Sequence, residues 1–404
     1  MDLLAGIRVL DWTTAQQGPV AASLLGSWGA DVIKIEARET GELGRGVVKM
    51  HGGIDVTLPH GLNAYFEVNN LNKRGLAVDL KKPQGKEIVY RLASKSDIFI
   101  HNFRPRVADR LGMDYRTLAR HNSRLIYAVA SGFGAAGPEA NNPVYDYAAQ
   151  ARSGLMQSSG EPGMPPVFCS LGLSDQTGAL CLTAGILAAL FARERLGMGQ
   201  EVKVSLLDSA MFLQGLSIGC MLLKHIEHFP RFSRLEPKNA LWNHYECADG
   251  RWISLALPGT DADWEKFCRV MCLAELYRDP RFRDIEGRTE HGTELAQELR
   301  NTFNKRPVAE WCDILVKGDV ISAAVQKITE LPDDPQVIAN EYVHDFDHPV
   351  LGKVKVLSNP LQLTQTPAKT RLPAPALGQH TEDILLEIGY SWDEISRLKA
   401  EEVI

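Results

Sequence analysis

Alternating strand and helix patterns constrain the fold of this chain more than any other feature. Over the first 210 of its 404 residues, short β-branched runs alternate with amphipathic segments. We predict strands at IRVLDW (7–12), DVIKIE (31–36), GLAVDL (75–80), SDIFIHN (96–102), RLIYAVAS (124–131) and QEVKVSLL (200–207), and a helix at PVAASLLGSWGA (19–30). This alternation indicates an α/β fold, in which helices cover both faces of a parallel sheet.

Ligands of parallel sheets bind beyond the carboxyl ends of the strands. The loops that follow three of the predicted strands are therefore the places to search for a site. They are TTAQQGP (13–19), HNFRPR (101–106) and SGFGAAGP (131–138).

The pattern changes after about residue 225. Residues 225–245 carry prolines and scattered charge, which is typical of a linker, and ECADGRWISLAL (246–257) predicts a β-hairpin with an Asp-Gly turn. Helical patterns follow at 261–271, 292–303 and 307–318, and they predict a smaller α+β domain over residues 228–330 with linkers on either side. From about 335 the chain returns to strand and turn patterns and then ends in helices.

Charge and composition exclude several classes of partner. The formal net charge is −6, whereas a nucleic-acid or anionic-membrane partner usually requires a basic surplus. The longest apolar run, 179–192, is shorter than the roughly 20 residues of a membrane span, and the N-terminal segment lacks the pattern of a signal peptide. We expect a cytoplasmic protein that binds neither nucleic acid nor membrane.

Metal motifs are missing from the sequence, and common nucleotide and hydrolase motifs are missing from their usual places. The seven cysteines form no C-x-x-C pair, so we expect reduced thiols and no metal site. No P-loop is present, and no G-x-G-x-x-G directly follows the first predicted strand; the match GFGAAG (132–137) follows a later one. The G-x-S-x-G match GLSIG (215–219) does not directly follow a predicted strand, as a nucleophile elbow would. The usual dehydrogenase, NTPase and hydrolase chemistries are therefore disfavoured.

One carboxylate stands out in SLGLSDQTGAL (170–180), just before a long apolar helix pattern. Either Ser174 or Asp175 would cap that helix, and an acidic residue in a first turn is favoured by the helix dipole. The second hypothesis is catalytic. Helix N–H groups would lower the pKa of Asp175 and keep it ionised as a covalent nucleophile, with small neighbours that admit a substrate.

A group of basic side chains lies in or after the predicted loops, with Asn102 and Phe103 among them. Its members are Lys73, Arg74, Lys81, Arg104, Arg106 and Arg110. They are either an ordinary solvated surface or a site for a phosphorylated ligand, since arginine matches phosphate oxygens bidentately.

Taken in order along the chain, these segments resemble the family III coenzyme A transferases. The resemblance runs nearly end to end and is carried by LAGIRVLDWT with QQGP, WGADVIKIE, NLNKRGLAVDLK, HNFRPRVADRLG, SGFGAAGP, SDQTGALCLTAGILAALFARERLGMGQEVKVSLLDS and LGQHTEDILLEIGY. It implies a Rossmann-like large domain, 1–225 completed by 331–404, beside the small domain. It also implies that two chains interlock as a dimer.

The resemblance places the catalytic aspartate at Asp175. The contacts to CoA would fall on Ala15, Gln16, Arg38, Val78, Lys81, Asn102, Phe103, Arg104, Arg110, Leu111, Tyr145 and Asp146. The implied reaction moves CoA from an acyl-CoA donor to a carboxylic acid through an aspartyl mixed anhydride and an aspartyl-CoA thioester. It needs no cofactor other than the CoA thioester itself, which is a substrate.

Three positions depart from the formyl-CoA transferases in this family, and they disfavour oxalate and formate as substrates. Thr14 stands where those enzymes have a histidine, and Pro143 where they have a lysine. Ala37 stands where they have an arginine, although the adjacent Arg38 could substitute for it. The chain also lacks their glycine-rich loop in the small domain. We expect a larger organic acid, dicarboxylic or aromatic, with succinyl-CoA as a candidate donor.

Two alternatives remain open. An α-methylacyl-CoA racemase of this fold would need a His–Asp pair where the chain has Tyr145-Asp146, and tyrosine is a poor base because its pKa is near 10. The chain could instead be a CoA-binding subunit that forms a heteromer with a related chain, rather than a homodimer.

Overall fold

The computed structural model describes residues 2–404, which form two compact units. The first unit comprises the described residues up to Gln157 together with Phe168–Glu227 and Gln336–Ile404. The second comprises Ser158–Val167 and His228–Pro335.

A parallel sheet of six strands is the centre of the first unit. In chain order its strands are β1 (Arg8–Trp12), β2 (Asp31–Glu36), β3 (Lys73–Ala77), β4 (Ile98–His101), β5 (Ile126–Ser131) and β6 (Glu201–Ser205). Their spatial order is β3-β2-β1-β4-β5-β6, and every neighbouring pair is parallel. This is the strand order of a doubly wound nucleotide-binding sheet, which confirms the predicted α/β class and the Rossmann-like architecture.

Helices cover the sheet and connect its strands. The first unit contains α1 (Gln17–Ser27), α2 (Ala64–Asn69), α3 (Pro83–Ser94), α4 (Pro105–Leu111), α5 (Tyr115–His121), α6 (Asp146–Arg152), α7 (Leu155–Ser158), α8 (Leu173–Leu196), α9 (Leu206–Leu213) and α10 (Gly215–Lys224). Short 3-10 turns at Leu43–Gly46, His51–Gly53 and Pro59–Gly61 lie between β2 and α2.

The second unit has an antiparallel sheet and its own core. Its elements are β7 (Trp242–Glu246), β8 (Trp252–Ala256), α11 (Asp261–Val270), α12 (Ala274–Arg278), α13 (Ile285–Glu290), α14 (Gly292–Phe303), α15 (Val308–Lys317) and β9 (Ser322–Ala324), with 3-10 turns at Pro280–Phe282 and Ile328–Asp333. The sheet order is β7-β8-β9. The predicted hairpin is present, but its first strand begins at Trp242, inside the stretch that we assigned to a linker. Alternate residues of β7 (Asn243, Tyr245) are buried, and this alternation is the strand signal that the prolines upstream obscured.

The C-terminal segment contributes α16 (Pro335–Ala339), β10 (Val343–His348), β11 (Gly352–Leu357), α17 (Thr381–Glu387) and α18 (Trp392–Ala400). Strands β10 and β11 pair as a separate antiparallel ribbon. Helices α17 and α18 bury Ile384, Leu385 and Ile395 in the hydrophobic cluster on one face of the large sheet. The cluster on the other face joins α1 to α8.

Helix α8 is 24 residues long and apolar enough to cross a membrane by length and composition, and the bent pair α9 and α10 meets the same criterion. Ala179, Leu182 and Ile186 of α8 are fully buried in the cluster against the sheet. This packing is that of a core helix, as the sequence predicts.

Strand β3 begins at Lys73, two residues earlier than predicted. The prediction missed this start because a lysine is rarely buried in a sheet. The Nζ atom of Lys73 lies 2.7 Å from the Asp11 carboxylate and donates to the Asn70 side chain and the Pro19 carbonyl. Burial acts to raise the pKa of Asp11, but Lys34 and Lys73 outweigh it and hold that pKa below its ordinary value. The charge of Lys73, which the sequence suggests is exposed to solvent, is instead paired with Asp11 inside the sheet.

Candidate active site

A cleft of about 900 Å³ lies at the carboxyl ends of β1, β2, β3 and β4. This is the edge at which the doubly wound sheet is expected to bind its ligand. The cleft is lined by Trp12, Thr13, Thr14, Ile35, Glu36, Ala37, Arg38, Glu39, Thr40, Gly41, Glu42, Leu43, Val78, Asp79, Leu80, Lys81, Lys86, Phe103, Val107, Arg110 and Leu111.

The cleft combines an apolar wall with several cations. The rings of Trp12 and Phe103 have their centroids 4.3 Å apart, and Arg38, Lys81 and Arg110 lie around them. Such a lining suits a ligand that has both an apolar part and anionic groups.

Six of the twelve predicted CoA contacts line this cleft: Arg38, Val78, Lys81, Phe103, Arg110 and Leu111. Ala15 and Gln16 lie in the loop between β1 and α1, and Asn102 is bound to that loop. Arg104 is exposed at the start of α4 and outside the cleft lining.

The basic group predicted from the sequence is divided by the fold. Lys73 is buried, and Arg74 pairs with Asp31 and Glu387 at 2.8 and 2.7 Å. Both are therefore engaged in ion pairs of the first unit, and neither lines the cleft. Lys86, which the sequence analysis did not single out, lines the cleft instead.

The N-terminus of α8 is capped by a residue from another segment. The N-cap position is Gly172, with φ +72°, and it has no side chain to offer. The Asp146 carboxylate accepts the N–H groups of Gly172 at 2.9 Å and Ser174 at 2.7 Å. The prediction that Ser174 or Asp175 caps this helix is therefore wrong, since Asp146 satisfies the free N–H groups.

Asp175 lies in the first turn of α8 with its carboxylate free of the capping role. The backbone N–H of Gln17, the first residue of α1, lies near enough to this carboxylate to lower its pKa. The N–H groups at a helix start have no partner within the helix. The start of α1 thus lies beside the first turn of α8.

Burial raises the pKa of Asp175 to about 7, with a further contribution from the Asp146 charge, while the Gln17 N–H opposes the rise. The expectation of a lowered pKa is wrong because Asp146, rather than Asp175, takes the N–H groups of α8. The carboxylate therefore loses its proton as pH rises through neutrality.

Tyr65 on α2 also belongs to this site, although sequence reasoning missed it. Burial raises the pKa of its phenol, and the charges of Asp175 and Glu42 raise it further, so the hydroxyl remains a neutral donor. Only the fold brings Tyr65 near Asp175, and no spacing in the sequence links the two residues.

Gln17 was missed as well, although the Gln16-Gln17 pair directly after a strand was a possible signal. A Cβ added to Gly172 would lie 2.4 Å from the Gln16 amide nitrogen, and one added to Gly178 would lie 2.3 Å from that of Gln17. Glycines on either side of Asp175 therefore admit the two glutamine side chains. The buried Nε2 of Gln17 has no hydrogen-bond partner among the described residues.

The Tyr145-Asp146 pair does not form an acid–base couple. Tyr145 is 65% exposed, whereas Asp146 is buried, with both oxygens bound to α8 and a further hydrogen bond from Gln150 at 2.8 Å. Within residues 2–404, no group of three or more histidine, cysteine, aspartate or glutamate side chains is arranged to hold a metal ion.

Comparison with known proteins agrees with this geometry. The model of CoA-transferase family III matches residues 4–381. The chain is 32% identical to an (R)-2-hydroxy-4-methylpentanoate CoA-transferase of Clostridioides difficile, over 100% of this chain and 99% of the relative. It is 29% identical to a formyl-CoA:oxalate CoA-transferase of Escherichia coli, over 99% of each chain.

Solved structures show the same fold. A CAIB/BAIF family protein from Brucella suis superposes with a TM-score of 0.83 at 26% identity, covering 96% of this chain and 99% of the other. Together with the family model and the relatives, the parallel sheet and the cleft at its carboxyl edge lead to one assignment. The chain belongs to CoA-transferase family III and is a CoA-transferase.

Proposed function

We propose that this enzyme transfers CoA from an acyl-CoA donor to an organic carboxylic acid, with Asp175 as the covalent nucleophile. The observation that carries the proposal is the state of the Asp175 carboxylate. It is released from capping by Asp146, touched by a single N–H from α1, and has its pKa raised to about 7. A carboxylate desolvated in this way is more reactive than one held by a full set of hydrogen bonds.

The reaction proceeds in four balanced steps. The Asp175 carboxylate attacks the donor thioester carbonyl, the C–S bond breaks, and a mixed anhydride and CoA thiolate result. The thiolate attacks the aspartyl carbonyl and expels the donor carboxylate, which leaves an aspartyl-CoA thioester. The acceptor carboxylate then attacks this thioester and releases the thiolate. Finally, the thiolate takes the acceptor acyl group from the new anhydride and restores the Asp175 carboxylate.

The cleft would hold the CoA moiety. Arg38, Lys81 and Arg110, which the sequence analysis named, and Lys86 are the cations available to the phosphate groups. The wall of Trp12 and Phe103 would accept the apolar part of the ligand. No cofactor beyond the CoA thioester enters this mechanism, and the proposed location is the cytoplasm.

The acceptor in this proposal is an acid larger than oxalate or formate, dicarboxylic or aromatic. Thr14 and Ala37, the departures from the formyl-CoA enzymes, both line the cleft, and the Clostridioides difficile relative is named for a hydroxy acid of six carbons. Succinyl-CoA is the donor that we would test first.

Mass spectrometry tests the nucleophile directly. The protein is mixed with a panel of acyl-CoAs, succinyl-CoA included, with and without hydroxylamine, and its peptides are analysed. We expect a hydroxamate on the peptide that contains Asp175, absent from Asp175→Ala. If CoA binds but no donor leaves Asp175 modified, the proposal is wrong, and a racemase or a CoA-binding subunit becomes the better hypothesis.

A further inference from the structure

We propose that Glu42 is a positioning residue for Asp175, acting through the loop that joins β1 to α1. The inference rests on the proposed role of Asp175 as nucleophile. It assigns a task to a carboxylate that lies after β2 and makes no hydrogen bond to α8.

One oxygen of Glu42 holds two consecutive residues of the loop. Its Oε2 atom accepts the hydroxyl of Thr14 and the backbone N–H of Ala15, both at 2.8 Å. Glu42 is itself fixed, since its side chain is 8% exposed and its own N–H donates to Glu36 at 3.0 Å. Arg45 holds Glu36 with two hydrogen bonds of 2.7 Å.

The loop needs this support because its backbone is strained. Ala15 has φ +63°, in the left-handed region that a residue with a Cβ enters at a cost of about 1–2 kcal/mol. Alanine has no polar side chain with which to offset the cost. Asn102 holds the preceding residue, accepting the N–H of Thr14 at 2.9 Å and donating to its carbonyl at 2.6 Å.

The strained residue determines where α1 begins. Gln16 follows as the N-cap of α1, and Gln17 is its first residue, whose N–H lies near the Asp175 carboxylate. The side chains of both glutamines pack against glycines on either side of Asp175. If Ala15 relaxed to an ordinary φ, the start of α1 would turn and this N–H would leave the carboxylate. Glu42 therefore acts on Asp175 through three residues of backbone.

Moving the Gln17 N–H away from Asp175 changes the pKa of Asp175 in one direction. The titratable side chains that face Asp175 are Asp146 on α6, whose charge raises the pKa of Asp175, and Tyr65 on α2, which stays neutral. The Gln17 N–H is the contact that lowers this pKa. Loss of the contact therefore moves the pKa of Asp175 upward and reduces the ionised fraction at neutral pH.

The test measures how the labelling of Asp175 depends on pH. Hydroxylamine trapping with succinyl-CoA, or with whichever acyl-CoA of the panel labels the native protein, is followed from pH 5 to pH 9. The acidic limb of this profile is the pH range in which labelling rises as Asp175 loses its proton. In Glu42→Ala we expect the acidic limb to move to higher pH by roughly half to one pH unit. Glu42→Gln retains an oxygen that can accept both donors, so it should restore the native limb.

Two further variants keep the test sound if Glu42→Ala folds poorly. Thr14→Val removes one of the two hydrogen bonds to Glu42 and should shift the limb in the same direction, whereas Thr14→Ser keeps the hydroxyl and should not. Asp114→Ala is the matched control, because that carboxylate also accepts a backbone N–H and a threonine hydroxyl, both of Thr117, but lies outside the cleft lining. It should lower stability without moving the limb.

The outcomes separate the two proposals. If native protein is not labelled at Asp175, the proposed function fails. If native protein is labelled and Glu42→Ala and Thr14→Val keep its pH profile, losing only amplitude at every pH, the positioning role is wrong and Glu42 is merely structural. Calorimetric titration with CoA reports separately whether either variant has damaged the cleft.

Discussion

Asp175 carries a cost to folding beside the chemical role that we propose for it. An aspartate in an unfolded chain loses its proton near its ordinary pKa of 3.8, whereas in the fold Asp175 keeps it until about pH 7. Between these values the folded state binds more protons, so the contribution of Asp175 to stability falls as pH rises from about 4 to about 7. Above that range the buried charge weakens the fold.

We therefore expect Asp175→Asn to abolish CoA transfer and to stabilise the protein at alkaline pH. Asparagine keeps an oxygen for the Gln17 N–H but carries no charge. The unfolding temperature of the variant, measured relative to that of the native protein, should rise between pH 5 and pH 8 and exceed it by at most a few degrees at pH 8.

The control for this prediction is Asp208→Asn. Asp208 occupies the same first-turn position on α9 but is exposed, and its removal should lower stability slightly at the helix N-terminus. A variant at Asp175 that unfolds at a lower temperature than native protein at pH 8 would contradict the raised pKa.

At the level of elements, the strands were predictable and the partners of side chains were not. Runs such as DVIKIE and RLIYAVAS are buried on both faces of a parallel sheet, so their β-branched composition alone locates β2 and β5. The cap of α8 by Asp146 is different, because it joins segments 26 residues apart in the sequence. A local rule that looks for Ser or Asp at a helix start selected Asp175 instead.

The buried charges of the sheet illustrate the same limit. Lys73 resembled a surface cation in the sequence, yet it is buried and pairs with Asp11 across β1 and β3. The pairing depends on strand order, which periodicity does not give. Similarly, Tyr65 comes near Asp175, and Glu42 contacts the loop between β1 and α1, only once the connections after β2 have folded over the carboxyl edge of the sheet.

Strand β3 offers a prediction about these charges. Lys73→Met leaves the buried Asp11 carboxylate with the Thr13 hydroxyl and with the cation of Lys34 at 3.9 Å, and should destabilise the first unit by about 3–5 kcal/mol. Urea unfolding followed by circular dichroism measures the loss. The neighbouring Arg74→Met removes ion pairs that are partly solvated and should cost about 1 kcal/mol or less. Equal losses in the two variants would contradict the account of a neutralised core lysine.

For the whole molecule, the first unit leaves a large apolar surface uncovered. We define the apolar face as the exposed side chains of α9 and α10, which include Phe212 (76% exposed), Leu216 (83%), Leu222 (63%) and Leu223 (84%). Helix α10 has no buried residue at all among those that the structure describes. Contiguous apolar surface of this kind marks an interaction site, whereas scattered apolar residues do not.

We expect a second copy of the chain to cover the apolar face. Leu216→Glu combined with Leu223→Glu places two charges in the expected interface and should convert the assembly to monomers. Light scattering after gel filtration measures the mass, with Val316→Glu on α15, a single exposed apolar side chain, as the control.

Thermal unfolding gives a second measurement. Because only folded chains associate, association stabilises the folded state. The dissociated variant should therefore unfold at a lower temperature, and its unfolding temperature should no longer depend on protein concentration. A native protein that is monomeric at micromolar concentration would contradict this expectation. A mass of two chains that the double variant leaves unchanged would move the interface to another surface.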